Sequence, residues 1–227
     1  LSGDVKKVRE IHQDLYRTFM DDIPKYAVKV LGARVAEVFE NIPNQLGEDK
    51  IKFSSLGNAN SGVIRQSVDL LAKAGLIYKV IHTNCTGLPL KANSDDSAMK
   101  LFFLDVGLYN TVMGISWNDI FYLSSEELIT KGKIAEQFVA QHLMFLDPKS
   151  IDSELFYWLR DKKKGAAEVD FVIAKDSVIY PLEVKAGTTG KMRSLWQYVA
   201  HKNPARVVRC DLKLRKQLLS QIAHTVI

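Results

Sequence analysis

The chain has 227 residues, 47% of them hydrophobic and 25% charged, with a formal net charge of +5. That length buries a sizeable core and accommodates more than one module, and the composition is that of a globular protein rather than a disordered or fibrous one. No run of about 18 apolar residues occurs, which argues against a membrane-spanning helix, and the two cysteines, Cys85 and Cys210, make neither a disulfide framework nor a metal-ligand spacing.

The chain opens at Leu1 with no signal-like apolar region, so a piece of a longer cytoplasmic polypeptide is expected. Residues 1–46 read as amphipathic helix, through Val5, Val8, Ile11, Leu15 and Phe19 and then from Tyr26 to Phe39. Asp21-Asp22-Ile23-Pro24 is the expected break, because proline removes a helix donor. Charge is close to balanced here, with 8 Lys/Arg against 9 Asp/Glu in residues 1–50.

Ile51 to Leu56 reads as a short helix, followed by Asn58-Ala59-Asn60-Ser61 as turn and cap. A helix is expected from Ser61 to Ala74, ended by Gly75. Ile64, Val68 and Leu71 line one face of it, while Arg65, Gln66, Asp69 and Lys73 line the other. A strand over Leu76–Thr83, a polar loop and a return strand over Lys100–Leu104 complete a winged helix-turn-helix pattern over residues 47–115. If it binds DNA, Arg65, Gln66 and Lys73 face the groove; winged helices also serve as protein-contact modules, and Asp69 lies amid the recognition face.

Ser124-x-x-Glu127 resembles a capping box that opens a helix running to about Leu146. Its apolar stripe is Ile134, Ala135, Phe138, Val139 and Leu146, with Glu136 at the flank beside Leu143. Beyond it, Val169–Ala174 and Val178–Val184 are β-branched-rich runs separated by Lys175-Asp176-Ser177, a hairpin pattern. With a two-residue loop at Asp176 and Ser177, paired residue numbers sum to 353. Asp170 then lies opposite Glu183, and Glu168 opposite Lys185. Alternation would project all four from one face. Asp-Ser is a weak two-residue turn signal, and a one-residue slip would undo this register.

Two neighbouring carboxylates suit a hard cation such as Mg²⁺, which takes few protein ligands and completes its shell with water and substrate phosphate oxygens. Asp170 and Glu183 are the candidate ligands, with Lys185 placed to orient a water or stabilise developing charge. The plain alternative is a surface hairpin with a Glu168–Lys185 ion pair. Residues 185–216 carry 9 Lys/Arg against the single Asp211. Lys162-Lys163-Lys164 extend that basic surface, which suits nucleic-acid phosphate or is simply solvated. A helix is expected over Arg193–His201 and a strand over Ala205–Cys210. Gly187 to Met192 lacks the spacing of a phosphate-binding loop, and His12, His82, His142, His201 and His224 are too scattered for a zinc site.

Tyr157-Trp158-Leu159-Arg160, Glu168-Val169-Asp170-Phe171-Val172 and Pro181-Leu182-Glu183-Val184-Lys185-Ala186-Gly187 strongly resemble the C-terminal region of a bacterial and archaeal AAA-type ATPase family, the region catalogued as DUF4143. Phe102 to Leu108 and Gly132 to Glu136 extend the resemblance over nearly the whole chain. The same residues resemble the PD-(D/E)xK nuclease core, with Asp170 as its first acid and Glu183-Val184-Lys185 as its ExK element. The implied fold is mixed α/β (α+β): a helical connection at 1–46 to an ATPase domain of the same polypeptide, a winged helix-turn-helix at 47–115, and an α-β-β-β-α-β restriction-endonuclease-like core at 116–227. The implied catalytic set is Asp170, Glu183 and Lys185, with Glu136 or Glu168 as an auxiliary acid and Mg²⁺ on Asp170 and Glu183.

DNA is the expected partner, contacted through Arg65, Gln66, Lys73, Lys191 and Arg193. ATP would be bound only through the ATPase domain, since this chain has no Walker A motif. No membrane partner is expected, and a homo-oligomer is left open. Two readings of other classes stand beside the nuclease: a catalytically silent module that docks DNA or protein for the ATPase, and a winged-helix transcription regulator.

Overall fold

The structure, a computed structural model, describes residues 4–26, 29–48, 50–122, 130–145, 154–160, 167–186 and 192–211. Among the described residues are seven α-helices and six strands. The helices are α1 (Val5–Tyr26), α2 (Lys29–Asn41), α3 (Ser61–Lys73), α4 (Val106–Val112), α5 (Trp117–Tyr122), α6 (Lys131–Met144) and α7 (Arg193–Lys202). The strands are β1 (Ile77–Thr83), β2 (Ser94–Phe103), β3 (Leu155–Leu159), β4 (Glu168–Lys175), β5 (Val178–Lys185) and β6 (Val208–Asp211). They form one mixed sheet in the order β2-β1-β3-β4-β5-β6. The mixed α/β class read from the sequence therefore holds. Two compact units divide the chain, one of residues 1–80 with 97–154 and the other of residues 81–96 with 155–227.

In the first unit α1 runs straight through the expected break, with Pro24 inside its last turn. The reason is packing: Gly32 of α2 lies so close that a Cβ there would stand 2.8 Å from Pro24 Cα. Tertiary contact outweighs the one backbone bond that the proline forfeits. Ile51 to Leu56 forms only a 3₁₀ turn at Phe53–Ser55 instead of a helix. α3 starts and stops as its sequence indicates. Asn60 caps it by accepting the Val63 N–H at 3.0 Å, and Gly75 takes the left-handed φ of +71° just beyond Ala74. Ile64, Val68 and Leu71 are buried as expected.

The return strand β2 begins at Ser94, six residues before the expected Lys100. Its first half is polar, so hydrophobic patterning could not reveal it. α6 begins at Lys131, and the Ser124–Glu127 capping box and Leu146 lie outside the described residues. Phe138 is 40% exposed and so is not part of the buried stripe, whereas Gln137 is fully buried. Gln137 donates to the Phe103 carbonyl at 2.8 Å and accepts the Phe103 N–H at 2.9 Å, satisfying both main-chain groups at the end of β2.

The second unit is built on the β3–β4–β5 meander, with α7 crossing to β6, which runs parallel to β5. β6 begins at Val208, later than the expected Ala205. Its core holds Phe156, Trp158, Val169, Val172, Leu195 and Tyr198, with the Trp158 and Tyr198 rings edge to face at 5.1 Å. Arg160 Nη1 donates to Gln197 Oε1 at 3.0 Å, tying α7 to the chain just after β3.

Candidate functional site

The β4–β5 hairpin has the anticipated register. Phe171 pairs with Leu182, Val172 with Pro181, Ile173 with Tyr180, Ala174 with Ile179 and Lys175 with Val178. Asp176 and Ser177 take φ values of +50° and +62°, so both loop residues adopt the left-handed backbone that a tight I′ turn requires.

On its other edge β4 is irregular. Phe156 pairs with Val172 and Trp158 with Val169, so Asp170 and Phe171 together stand against Tyr157 alone. This is a β-bulge, and it explains why Val169 and Val172, an odd number of positions apart, pack into the same core cluster. Simple alternation therefore does not carry from Glu168 to Val172. Bulges re-aim a side chain, and here Asp170 Oδ2 accepts the N–H of Val184 at 2.7 Å. The first acid of the pattern is thereby anchored to the main chain one residue beyond Glu183.

Glu183 is 4% exposed, in the middle of β5, and Lys185 Nζ donates to its Oε1 at 2.5 Å. The two are separated by one residue on a strand and so share a face. This is an ion pair along one strand, between residues two apart on β5. Glu168 starts β4, half-buried, paired with Leu159.

β6 adds two charged residues not anticipated in the site. In the parallel β5–β6 register Glu183 neighbours Arg209 and Lys185 neighbours Asp211, while Arg209 Nε donates to Asp211 Oδ1 at 3.1 Å. Opposite charges thus alternate across and along two adjacent strands. The signal was the Arg-x-Asp spacing of β6, which inverts the Glu-x-Lys spacing of β5. Between the two, Cys210 is half-buried, and its thiol is pushed up to about 11, first by burial and then by the negative charges of Asp211 and Asp170.

The other candidate residues lie elsewhere. Glu136 belongs to the first unit, where Lys100, 6% exposed, brings Nζ to 3.9 Å from Glu136 Oε2. On α3, also in that unit, Gln66 and Lys73 are exposed, and the Arg65 guanidinium lies over the Phe53 ring at 5.2 Å. Asp69, the acid amid that face, is paired with Lys79. Arg193 is exposed at the start of α7. Lys191 and the Lys162–Lys164 run lie outside the described residues.

Asp170 and Glu183 are the two carboxylates here that could hold a cation such as Mg²⁺, which uses one or two carboxylates and leaves the rest of its shell to water and phosphate. Among the described residues no group of three or more His, Cys, Asp or Glu gathers as a fuller metal cage. Two carboxylates are the donor number of a magnesium site completed by substrate and water rather than of a self-sufficient one. Among the described residues no helix is long and apolar enough to cross a membrane.

Two family models match the chain. Residues 2–119 match a domain of unknown function (DUF8612), and residues 131–222 match another (DUF4143). No curated protein and no solved structure matches.

Proposed function

This chain belongs to the DUF8612 family and carries a DUF4143 domain after it, and on that footing we propose that it is the DNA-binding, nuclease-like portion of a prokaryotic AAA-type ATPase, hydrolysing phosphodiester bonds with Mg²⁺. The observation that carries the reading is the Asp170–Val184 hydrogen bond. Through it a bulged strand fixes the first acid against the segment that bears a buried Glu183 and, two residues on, Lys185. The element order α6-β3-β4-β5-α7-β6 supports a restriction-endonuclease-like core. The run α2, α3, β1, β2 supports a winged helix-turn-helix ahead of it, with Arg65, Gln66 and Lys73 toward DNA.

In this mechanism Asp170 and Glu183 would hold the cation, whose chemistry there would be to lower the pKa of a water and neutralise phosphate charge. Val184 N–H keeps the Asp170 carboxylate oriented. Lys185 balances Glu183 before substrate arrives, and a phosphodiester oxygen competes for its ammonium once bound. Arg193, and Lys191 beside it in sequence, contribute the sequence-independent phosphate attraction. ATP belongs to the ATPase domain alone, and the setting is the cytoplasm.

A second reading rests on the charge ladder. Lys185–Glu183 and Arg209–Asp211 neutralise one another within the sheet, as in a silent module that docks DNA or protein for the ATPase. Cleavage of supercoiled and single-stranded DNA with Mg²⁺ or Mn²⁺ separates the two. The nuclease reading expects metal-dependent cutting that Asp170→Asn abolishes while DNA binding persists. Binding without cutting in both proteins leaves the silent module, and binding lost with Arg65→Ala but indifferent to Arg193→Ala leaves the winged-helix regulator.

A further inference from the structure

We propose that the outer face of α7 is a stacking platform for unpaired bases, so that the nucleic acid this protein holds is a single strand. The inference rests on the phosphodiester reading for nucleic acid as the ligand and adds which form of it. It is carried by Trp196, a residue that the chemistry at Asp170 does not use.

The inner side of α7 is committed to the core. Leu195 and Tyr198 are buried there, and the Tyr198 ring meets Trp158 edge to face at 5.1 Å. Trp196 lies off that side with 60% of its surface exposed, whereas Trp158 is 5% exposed. Among the described residues the Trp196 indole makes no ring contact, hydrogen bond or cation–π contact. A large aromatic surface left in water forgoes the gain of burial, and a flat partner laid on it recovers that gain.

The surroundings of the ring say what kind of partner fits. Residues three and four apart share a helix face, so Arg193, Trp196 and Ala200 form one stripe, and all three are exposed. Ala200, with only a methyl, leaves the ring open on its side of the stripe. Residues 193–211 carry Arg193, Lys202, Arg206 and Arg209 against Asp211 alone, and that acid is paired with Arg209 at 3.1 Å. Arg193, Lys202 and Arg206 make no ion pair among the described residues. This excess of positive charge suits a polyanion, and the Asp170 and Glu183 carboxylates of the same unit point to one built of phosphodiesters. A duplex offers phosphates but keeps its base faces stacked inside. Only an unpaired base presents a π face to the indole while its phosphate reaches the guanidinium one turn away. Every base has such a face, so the platform tolerates any sequence.

Binding by the whole chain in EDTA, where no metal-dependent cutting intervenes, tests the platform. The probes are a labelled oligothymidylate of about 20 nucleotides, an abasic strand of the same length and a mixed-sequence duplex. Trp196→Ala, a change at an exposed position, is expected to weaken the oligothymidylate about tenfold and to leave the abasic strand and the duplex unchanged. Trp196→Phe keeps an aromatic face and is expected to retain most of the affinity. Arg193→Ala is expected to weaken oligothymidylate and abasic strand by the same factor and to lower the salt dependence of both. The proposal is overturned if no probe binds, if the oligothymidylate binds no more tightly than the abasic strand, or if Trp196→Ala leaves it unchanged or weakens all the probes alike. Cutting with Mg²⁺ is read separately. A chain that stacks a strand without cutting it sinks the nuclease and keeps the platform, and one that cuts but is indifferent to Trp196→Ala does the reverse.

Discussion

The carboxylate of Asp170 accepts the backbone N–H of Val184 at 2.7 Å, so a side chain on β4 serves a main-chain donor on β5 just past the regular ladder. Stability and chemistry are joined in that one residue. Asp170→Ala leaves the Val184 N–H unpaired and is expected to destabilise the protein by about 1–3 kcal/mol, whereas Asp170→Asn keeps an acceptor oxygen and is expected to cost well under that. Urea unfolding of the two variants checks it. Equal losses would mean that the hydrogen bond contributes nothing of its own, and only the Asn variant suits cleavage assays.

Glu183 and Lys185 make the reciprocal case. Removing the ammonium in Lys185→Ala takes a charged partner from a carboxylate that is 4% exposed, and such broken pairs cost about 3–5 kcal/mol. Lys185 is itself partly exposed, so the lower end is expected. The double variant Glu183→Gln, Lys185→Met removes both charges and should recover a large part of the loss. A double-mutant cycle by denaturant unfolding measures the coupling, and a near-zero value would reduce the pair to surface decoration.

The tight turn carries strain that can be relieved. Asp176 and Ser177 both sit at positive φ, a conformation aspartate tolerates better than serine and glycine accepts freely. Ser177→Gly is expected to stabilise the hairpin by about 0.5–1 kcal/mol, read as a shift in the urea midpoint with unchanged slope. A loss instead would show that the Ser177 side chain makes a contact that outweighs its backbone strain.

That turn also marks how far the sequence could be read. Two β-branched runs around Asp176-Ser177 suggested the register through the alternation of their apolar residues, although Asp-Ser itself is a weak turn signal, and Phe171 does lie opposite Leu182. The α3 cap and stop were equally legible, since Asn60 and Gly75 act through local backbone geometry. The bulge at Asp170–Phe171 was not, because it arises from the pairing of β4 with β3, a long-range choice that leaves no local mark. Arg209 and Asp211 entered the site for the same reason: a parallel crossover through α7 decides their neighbours. Pro24 misled because a propensity rule knows nothing of Gly32 packed against it.

Cys210 gives a prediction in pH. Its thiol is raised from the ordinary value near 9 to about 11, so the folded state holds the neutral form longer than the unfolded chain does. The stabilisation this supplies is fully present below pH 9 and fades as pH climbs through about 11. Between pH 9 and 11 the urea midpoint should fall, and Cys210→Ala should flatten part of that slope. Two units also mean on the order of a hundredfold less thiolate at pH 8, so a disulfide reagent should label native Cys210 far more slowly than unfolded Cys210. Equal labelling rates would place the thiol in an ordinary, solvated setting.

Gln137 is the buried polar residue whose role the helix pattern hides. It looks like one more polar position on α6, yet it is fully buried and spends both ends of its amide on Phe103, accepting the N–H and donating to the carbonyl. Those two groups have no place to reach water, so Gln137→Leu strips a buried donor and a buried acceptor at once. The leucine has nearly the right volume, so cavity effects are small and the loss is polar in origin. At about 1–3 kcal/mol for each orphaned group, a destabilisation of roughly 2–6 kcal/mol is expected. Gln137→Glu tests the assignment from the other side. It keeps the acceptor for the Phe103 N–H but loses the donor for the carbonyl, and places an oxygen against that carbonyl unless it is protonated. The glutamate variant should therefore be less stable at pH 8 than at pH 5, whereas the leucine variant should show no added pH dependence, and thermal unfolding at the two pH values distinguishes them. If both variants unfold with the wild-type midpoint, Gln137 is a passenger and the end of β2 must be held by other groups.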